Sequence, residues 1–451
     1  MTKNPHHPHE VTKLVILGAI TGLIVGSIGA VFQISIIWIE HTKGIFLSSI
    51  IYPILQYFLA ALFSTIFLVS ALVIVRRFAP ETAGSGVQEI EGILEHKRTM
   101  RWYLVLPIKF FAGILSLSSG LVLGREGPTI QMGGAVGKMM QSIFRLSAEH
   151  THILIAAGAG AGLAAAFNAP LAGILFVVEE MRQQFNYSFK SLQTVIIACV
   201  CSDIMLRVFM GQASDIPMIQ LRAPELSSLW IFVILGILFG IMGVIFNKYL
   251  IRFLNFFMLL DRKRFWIFIV AIGIGAGILS VAYPNAIGGG YTVIPIALQE
   301  NMGLSALLIL FVLRMLTTWT SYGTGTPGGI FAPMLALGTI FGILFGMIVT
   351  FFLPGIVQDP AIFAVTGMSA LFAATVGAPL TGIVLVVEMT MNYALILPLI
   401  LTCFSATIAA HFFGGKPIYS TLLGRTFVLA HRKTLYLKIL TKKYSVLLGR
   451  S

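Results

Sequence analysis

The sequence predicts an all-α polytopic membrane protein with little soluble mass. Composition is the first reason. Of its 451 residues, 57% are hydrophobic and only 10% are charged, against roughly 45–50% and 25% in a soluble domain. The mean hydropathy is +0.93. Spacing is the second reason: apolar runs recur along the chain and are interrupted by Gly and Pro rather than by polar linkers. Together these exclude an ordinary cytosolic enzyme, a disordered chain and a disulfide-stapled secreted module.

The first apolar run extends from Leu14 to about Ile39, ending before Glu40. It exceeds the about 7–15 residues of a signal-peptide core, so it reads as an uncleaved first transmembrane helix. Further runs fall at about 51–76, 103–123, 151–178, 191–209, 229–258, 264–283, 303–322, 330–353, 361–387 and 394–413. A spanning helix needs about 20 apolar residues. Several runs are longer and others are broken by Gly and Pro. That pattern predicts tilted, re-entrant or discontinuous helices, which membrane depth tolerates only where they are buried or line a cavity. No linker and no second soluble domain is expected.

Lys+Arg exceed Asp+Glu by 30 to 17, a net charge of +13. In a soluble protein that excess would suggest nucleic acid. Here the basic residues sit mainly at the edges of apolar runs, so no nucleic-acid partner is expected. After Glu388 there is no acidic residue, and Lys416, Arg425, Arg432, Lys433, Lys438, Lys442, Lys443 and Arg450 follow. Such an excess marks a cytoplasmic side. The loop carrying Lys97, Arg98 and Arg101 is expected on the same side. Cys199, Cys201 and Cys403 all lie inside apolar runs, which favours buried small side chains over disulfides or a metal pair. His6, His7 and His9 read as a polar tail rather than a metal tract.

An internal repeat divides the chain. Ala169–Glu179 aligns without gaps to Ala378–Glu388, with eight of eleven positions identical. Upstream, Lys109 matches Arg314, Gly120 matches Gly325, Gly124 matches Gly329, Pro128 matches Pro333 and Gly133 matches Gly338. The expected organisation is a first transmembrane half at 1–225, a second at 226–420 and a basic cytoplasmic tail at 421–451. Transporters built from such repeats place their substrate site where the halves meet. The alignment alone leaves open whether the halves are parallel or inverted.

Three glycine-rich breaks precede helix-capable segments: Gly84-Ser-Gly-Val-Gln88, Gly124-Arg-Glu-Gly-Pro128 and Gly329-Ile-Phe-Ala-Pro333. Pro in a first helical turn forgoes little, and glycine lets backbone turn sharply and approach a ligand. A helix N-terminus offers free N–H groups and about half a positive charge. Several N-termini aimed at one point would hold an anion without Lys or Arg, and weakly enough to release it. Helix packing is the competing explanation, and it is the one that suits Gly18/Gly22/Gly26 and Gly236/Gly240.

Glu126, Glu179, Glu180 and Glu388 lie in or beside apolar segments. Intramembrane carboxylates are costly and point to a pathway or a proton relay. Glu126 stands inside a break, where a carboxylate can mimic the anion and leave on protonation. That behaviour couples proton to anion. Arg125 beside it allows a plain ion pair instead. Glu179 and Glu388 are repeat equivalents, which favours a shared structural role such as capping. Glu180 has Met389 as its counterpart, and that asymmetry favours a specific function.

These residues resemble the CLC family of chloride channels and proton/chloride antiporters. The resemblance rests on GSG at 84–86, GREGP at 124–128, AGLAAAFNAPLAGILFVVEE at 161–180, GGIFAP at 328–333, GAPLTGIVLVVEMT at 377–390 and GGKPIY at 414–419. It implies a CLC-type fold of two inverted-topology repeats. It also implies a homodimer with one pore per subunit, in the cell (inner) membrane with both termini cytoplasmic. Carried over residue by residue, chloride would be bound by the Ser85 and Tyr419 hydroxyls and the backbone N–H groups of Ile330 and Phe331. Glu126 resembles the external gating glutamate. Glu180 resembles the internal glutamate that passes protons in the antiporters, and channels of this family typically lack an acid there.

The sequence departs from the family pattern at Gln88, where Pro is usual, and at Met391, where an acidic residue is common. The Pro is associated with nitrate or chloride preference at the serine turn. The Met391 departure is expected to affect only a surface. The short tail leaves no room for the cystathionine-synthase-like domains of many eukaryotic members. The implied function is proton-coupled chloride exchange, with chloride, protons and membrane lipid as partners and no cofactor or metal. A passive, voltage-gated-type chloride channel of the same fold is the alternative, separated by Glu180. An intramembrane hydrolase would need a nucleophile and a base at depth, and no HExxH or GxSxG is present.

Overall fold

The computed structural model describes residues 8–182, 187–213, 216, 218, 220–299, 302–357 and 359–426. The described residues are helical almost throughout, and their elements recur in the same order twice. The first series is α1 (Pro8–Ser48), α2 (Pro53–Phe78), α3 (Val87–Leu94), α4 (Trp102–Ser118), α5 (Glu126–Phe144), α6 (Ala148–Phe167), α7 (Pro170–Glu179) and α8 (Phe189–Met210). The second is α9 (Leu229–Leu259), α10 (Arg262–Ala282), α11 (Val293–Gln299), α12 (Leu304–Gly323), α13 (Phe331–Phe352), α14 (Ala361–Val376), α15 (Pro379–Thr390) and α16 (Ile396–Phe412). A last helix, α17, covers 418–426. Among the described residues nine helices are long and apolar enough to cross a membrane. This is a multi-pass membrane protein.

Several apolar runs are two helices. The run at 151–178 breaks at Asn168, whose φ of 51° closes α6 in the left-handed region before Pro170 starts α7. The run at 361–387 breaks at Gly377, with φ of 85°, before Pro379 starts α15. The run at 103–123 ends its helix at Ser118. Helix α5 was not among the runs because glycine, Gln131 and Lys138 dilute its apolar content. Helices α3 and α11 are too short to register as spans. Helix α1 runs on through Glu40 to Ser48.

The innermost helices are α6 and α14, buried along almost their whole length. Burial this complete needs small residues. Gly133 of α5 crosses α6 at Gly158, where a Cβ on either would overlap the other's carbonyl. The equivalent crossing joins Gly338 of α13 to Gly367 of α14. The Gly18/Gly22/Gly26 stripe of α1 lies against Thr194, Ala198 and Ser202 of α8, and Gly236/Gly240 of α9 against Thr402, Ser405, Ala406 and Ala409 of α16. These two stripes are packing surfaces, as their spacing predicts. Cys199 and Cys403 are buried free thiols, and Cys201 is a half-buried one. Met391 lies exposed at the end of α15 with φ of 56°. Of the basic tail, Lys416 and Arg425 fall within the described residues. The other basic positions lie outside them, as do His6, His7 and the side chain of His9.

Candidate functional site

The site is built where the two series touch. The repeat-equivalent residues Gly124 and Gly329 exchange backbone hydrogen bonds, with N–O distances of 2.9 and 2.7 Å. They form an isolated antiparallel bridge. The chain enters α5 two residues after one glycine and α13 two residues after the other, so both N-termini start from this junction. Side chains could not be accommodated here: a Cβ on Gly124 or Gly329 would overlap the Glu126 carboxylate.

Glu126 opens α5 and is fully buried. Its carboxylate crosses to the second series, where Oε1 accepts hydrogen bonds from the backbone N–H of Phe331 at 2.7 Å and of Ala332 at 3.3 Å. Oε2 meets no partner among the described residues. The carboxyl group therefore occupies the place of an anion at the N-terminus of α13, where free N–H groups and the helix dipole favour negative charge. The neighbouring Arg125 places Nε 3.0 Å from the Ala166 carbonyl and its guanidinium 4.1 Å above the Tyr291 ring.

Ser85 comes from the turn before α3. Gly84 and Gly86, with φ of 65° and 92°, make that turn. A Cβ on Gly127 would strike Ser85, so the serine lies directly against the residue after Glu126. Tyr419 reaches in from α17, with its ring 5.7 Å from that of Phe331. The Ser85 and Tyr419 hydroxyls are both buried without a hydrogen-bond partner among the described residues. Buried hydroxyls are normally paired, so two orphan donors, one against Gly127 and one beside Phe331, fit an anion. Ile330 caps α13 beside them, but its N–H is not among the groups that engage the carboxylate.

Lys109 fixes the serine turn. It is fully buried, and Nζ donates to the carbonyls of Thr82 at 2.9 Å and Gly84 at 2.7 Å. Arg314, its repeat equivalent, donates to the carbonyls of Asn285, Ile287 and Gly288 at 2.8–3.0 Å. The alignment showed these cations as matched positions, and their carbonyl partners also lie in matched Pro-led turns, PETAGSG at 80–86 and PNAIGGG at 284–290.

Glu180 caps the C-terminal end of α7, remote from the glycine bridge in sequence and on another helix. Its carboxyl group lies beside that of Glu91 on α3. Two carboxyl groups held this close disfavour two charges and favour a proton on one of them. Glu91 is buried. Sequence reading missed it because it lies outside every apolar run, between the helix start and the basic loop.

Glu179 and Glu388 have a different arrangement. Glu388 accepts from the N–H groups of Leu171 at 3.0 Å and Ala172 at 2.8 Å, at the start of α7. Glu179 accepts from those of Leu380 at 3.1 Å and Thr381 at 2.7 Å, at the start of α15. Each equivalent glutamate caps the helix of the other series. Helices α7 and α15 therefore run antiparallel, and the two series are inverted with respect to one another.

Two cavities approach the bridge. One, of about 540 Å³, is lined by Gly84, Gln88, Tyr322 and Gly325 together with Arg76, Arg98 and Arg425. The other, of about 220 Å³, is lined by Leu123, Arg125, Glu40, Gly289 and Tyr291.

The family described as Voltage gated chloride channel matches residues 66–411. The chain belongs to that family. Among relatives of this chloride channel family member, the H(+)/Cl(-) exchange transporter ClcA of Vibrio parahaemolyticus is 50% identical over 418 residues, covering 92% of this chain and 90% of the relative. The protein of that name from Vibrio vulnificus is 50% identical over 425 residues, covering 93% and 91%. Among solved structures, a slow cyanobacterial Cl-/H+ antiporter superposes with a TM-score of 0.89 at 40% identity, covering 95% of this chain and 99% of that one.

Proposed function

We propose that this protein is a proton-coupled chloride antiporter, exchanging chloride for protons across the membrane in which it is embedded. The observation that carries this reading is the Glu126 carboxylate on the N-terminus of α13, 2.7 Å from the Phe331 N–H. A carboxylate there occupies the place of an anion and must take up a proton before it can leave. One group then serves as gate and as proton carrier. In this reading the Ser85 and Tyr419 hydroxyls and the N–H groups of Ile330 and Phe331 bind chloride next to it. Glu180, beside Glu91, receives protons from the cytoplasmic side, away from the anion route. An anion path and a proton path need different linings, so two separate carboxylate positions suit coupled exchange.

The first half comprises 1–225 and the second 226–420, with the site between them. The protein lies in the cell (inner) membrane with both termini and the tail at 421–451 cytoplasmic, in keeping with the basic residues of that tail. It works as a homodimer with one pore per subunit. Leu171 of α7 and Leu380 of α15, 57% and 45% exposed, offer apolar surface for the second copy.

Purified protein in liposomes with an outward chloride gradient tests the function. Chloride release should drive protons inward, against their gradient if necessary. Chloride release that no proton movement accompanies would make the protein a passive channel.

A further inference from the structure

We propose that the side-chain amide of Gln88 is an anion ligand at the inner mouth of the pathway and favours compact anions entering from that side. The inference rests on the transport reading above but not on proton coupling. Gln88 lines the 540 Å³ cavity beside Gly84, Tyr322 and Gly325. Its amide nitrogen lies 3.8 Å from where a Cβ on Gly84 would stand, next to the turn that presents Ser85. The residue is 8% exposed, and its amide oxygen has no partner among the described residues. Buried side-chain amides are ordinarily hydrogen-bonded. The unpaired oxygen is an acceptor and offers an anion nothing; the donor is the amide nitrogen, which stands beside the turn of Ser85 and along the cavity that an anion crosses.

The rest of the lining divides the work. The Arg76 guanidinium stacks 3.7 Å over the Phe265 ring, and Arg98 lies 3.5 Å from Glu89. Arg425 is engaged with Asn255 and the Leu254 carbonyl. These cations draw in anions of any kind. Discrimination needs a directional donor close to the path, and the Gln88 amide supplies two N–H groups. Chloride, small and charge-dense, gains more from such a donor than thiocyanate, whose charge is spread over three atoms. Pro, usual here in the family the sequence resembles, has no side-chain donor.

The test compares wild type with Gln88→Met and Gln88→Pro in planar bilayers, varying chloride on each side separately. Met keeps the length and removes the donors. Pro suits the first turn of α3, where a missing N–H costs little. Both variants should raise the half-saturating chloride concentration on the inner side about two- to tenfold, the loss of one neutral hydrogen bond. Both should also shift the chloride/thiocyanate permeability ratio toward thiocyanate, and Gln88→Asn should fall between them and wild type. Inner-side chloride dependence and permeability ratio unchanged in both variants overturn the proposal. So does an equal shift on both sides, which would mean a general loss of function. Wild type carrying chloride without protons would defeat the antiporter reading and leave this comparison fully readable.

Discussion

Gly124 and Gly329 hydrogen-bond to each other twice, N to O in both directions, although 205 residues separate them. The two are equivalent positions of the repeat, so the symmetry between the series passes through this pair. An antiparallel bridge between equivalents is what an inverted arrangement requires. It brings the starts of α5 and α13 together and leaves room between them only because neither residue has a side chain. The Glu126 carboxylate fills that room.

Replacing Glu126 with Ala should leave chloride flux intact and free of protons. Wild-type flux should fall as pH rises, because deprotonation returns the carboxylate to the α13 N-terminus and protonation releases it. The Ala variant should lose that pH dependence. Chloride efflux and proton uptake followed together between acidic and alkaline pH give both readings. A variant that still moves protons uphill when driven by chloride would remove Glu126 from the coupling role.

Glu180→Gln should keep the fold and chloride transport while proton movement collapses. Gln keeps the size and polarity of the side chain beside Glu91 but cannot titrate. Glu91→Gln should slow proton movement less, because Glu180 can still take up a proton without sharing it. Proton-to-chloride ratios in liposomes decide the order of the two. Full coupling in Glu180→Gln would place the inner proton acceptor elsewhere.

Glu179 and Glu388 should act on stability. Each satisfies two backbone donors at a helix start, so Glu388→Ala and Glu179→Ala should each cost about 0.5–2 kcal/mol, with Gln retaining part of the cap. Thermal unfolding in detergent measures this. If Glu179→Gln abolished coupling in a well-folded protein, its role would be in proton transfer rather than capping.

Ser85→Ala and Tyr419→Ala should weaken chloride binding, each by about 0.5–1.5 kcal/mol for a neutral donor. Calorimetric titration with chloride reads the effect directly. Tyr419→Ala should also loosen coupling, since a site that holds chloride poorly no longer ties anion to proton movement. Unchanged affinity in both variants would place the ion elsewhere.

The sequence by itself determined the membrane class and the repeat, and it marked the candidate residues for the chemistry. Composition, apolar runs and motifs are local properties, and Glu126, Ser85, Glu180 and Tyr419 stand within or beside recognisable segments. It also separated Glu180 from Glu179 and Glu388, because identity across the repeat is legible without coordinates. Only the tertiary structure decided that the halves are inverted, which the reciprocal caps at α7 and α15 express. Only it paired Glu91 with Glu180, set Lys109 on the carbonyls behind Ser85, and chose the Phe331 and Ala332 amides as partners of Glu126. The physical reason is common to all of these. Each joins backbone or side-chain groups far apart in the chain, and a backbone N–H carries no sequence mark of the anion it will meet. Periodicity and motifs say which residues can do the chemistry, and packing of the helices decides what each one faces.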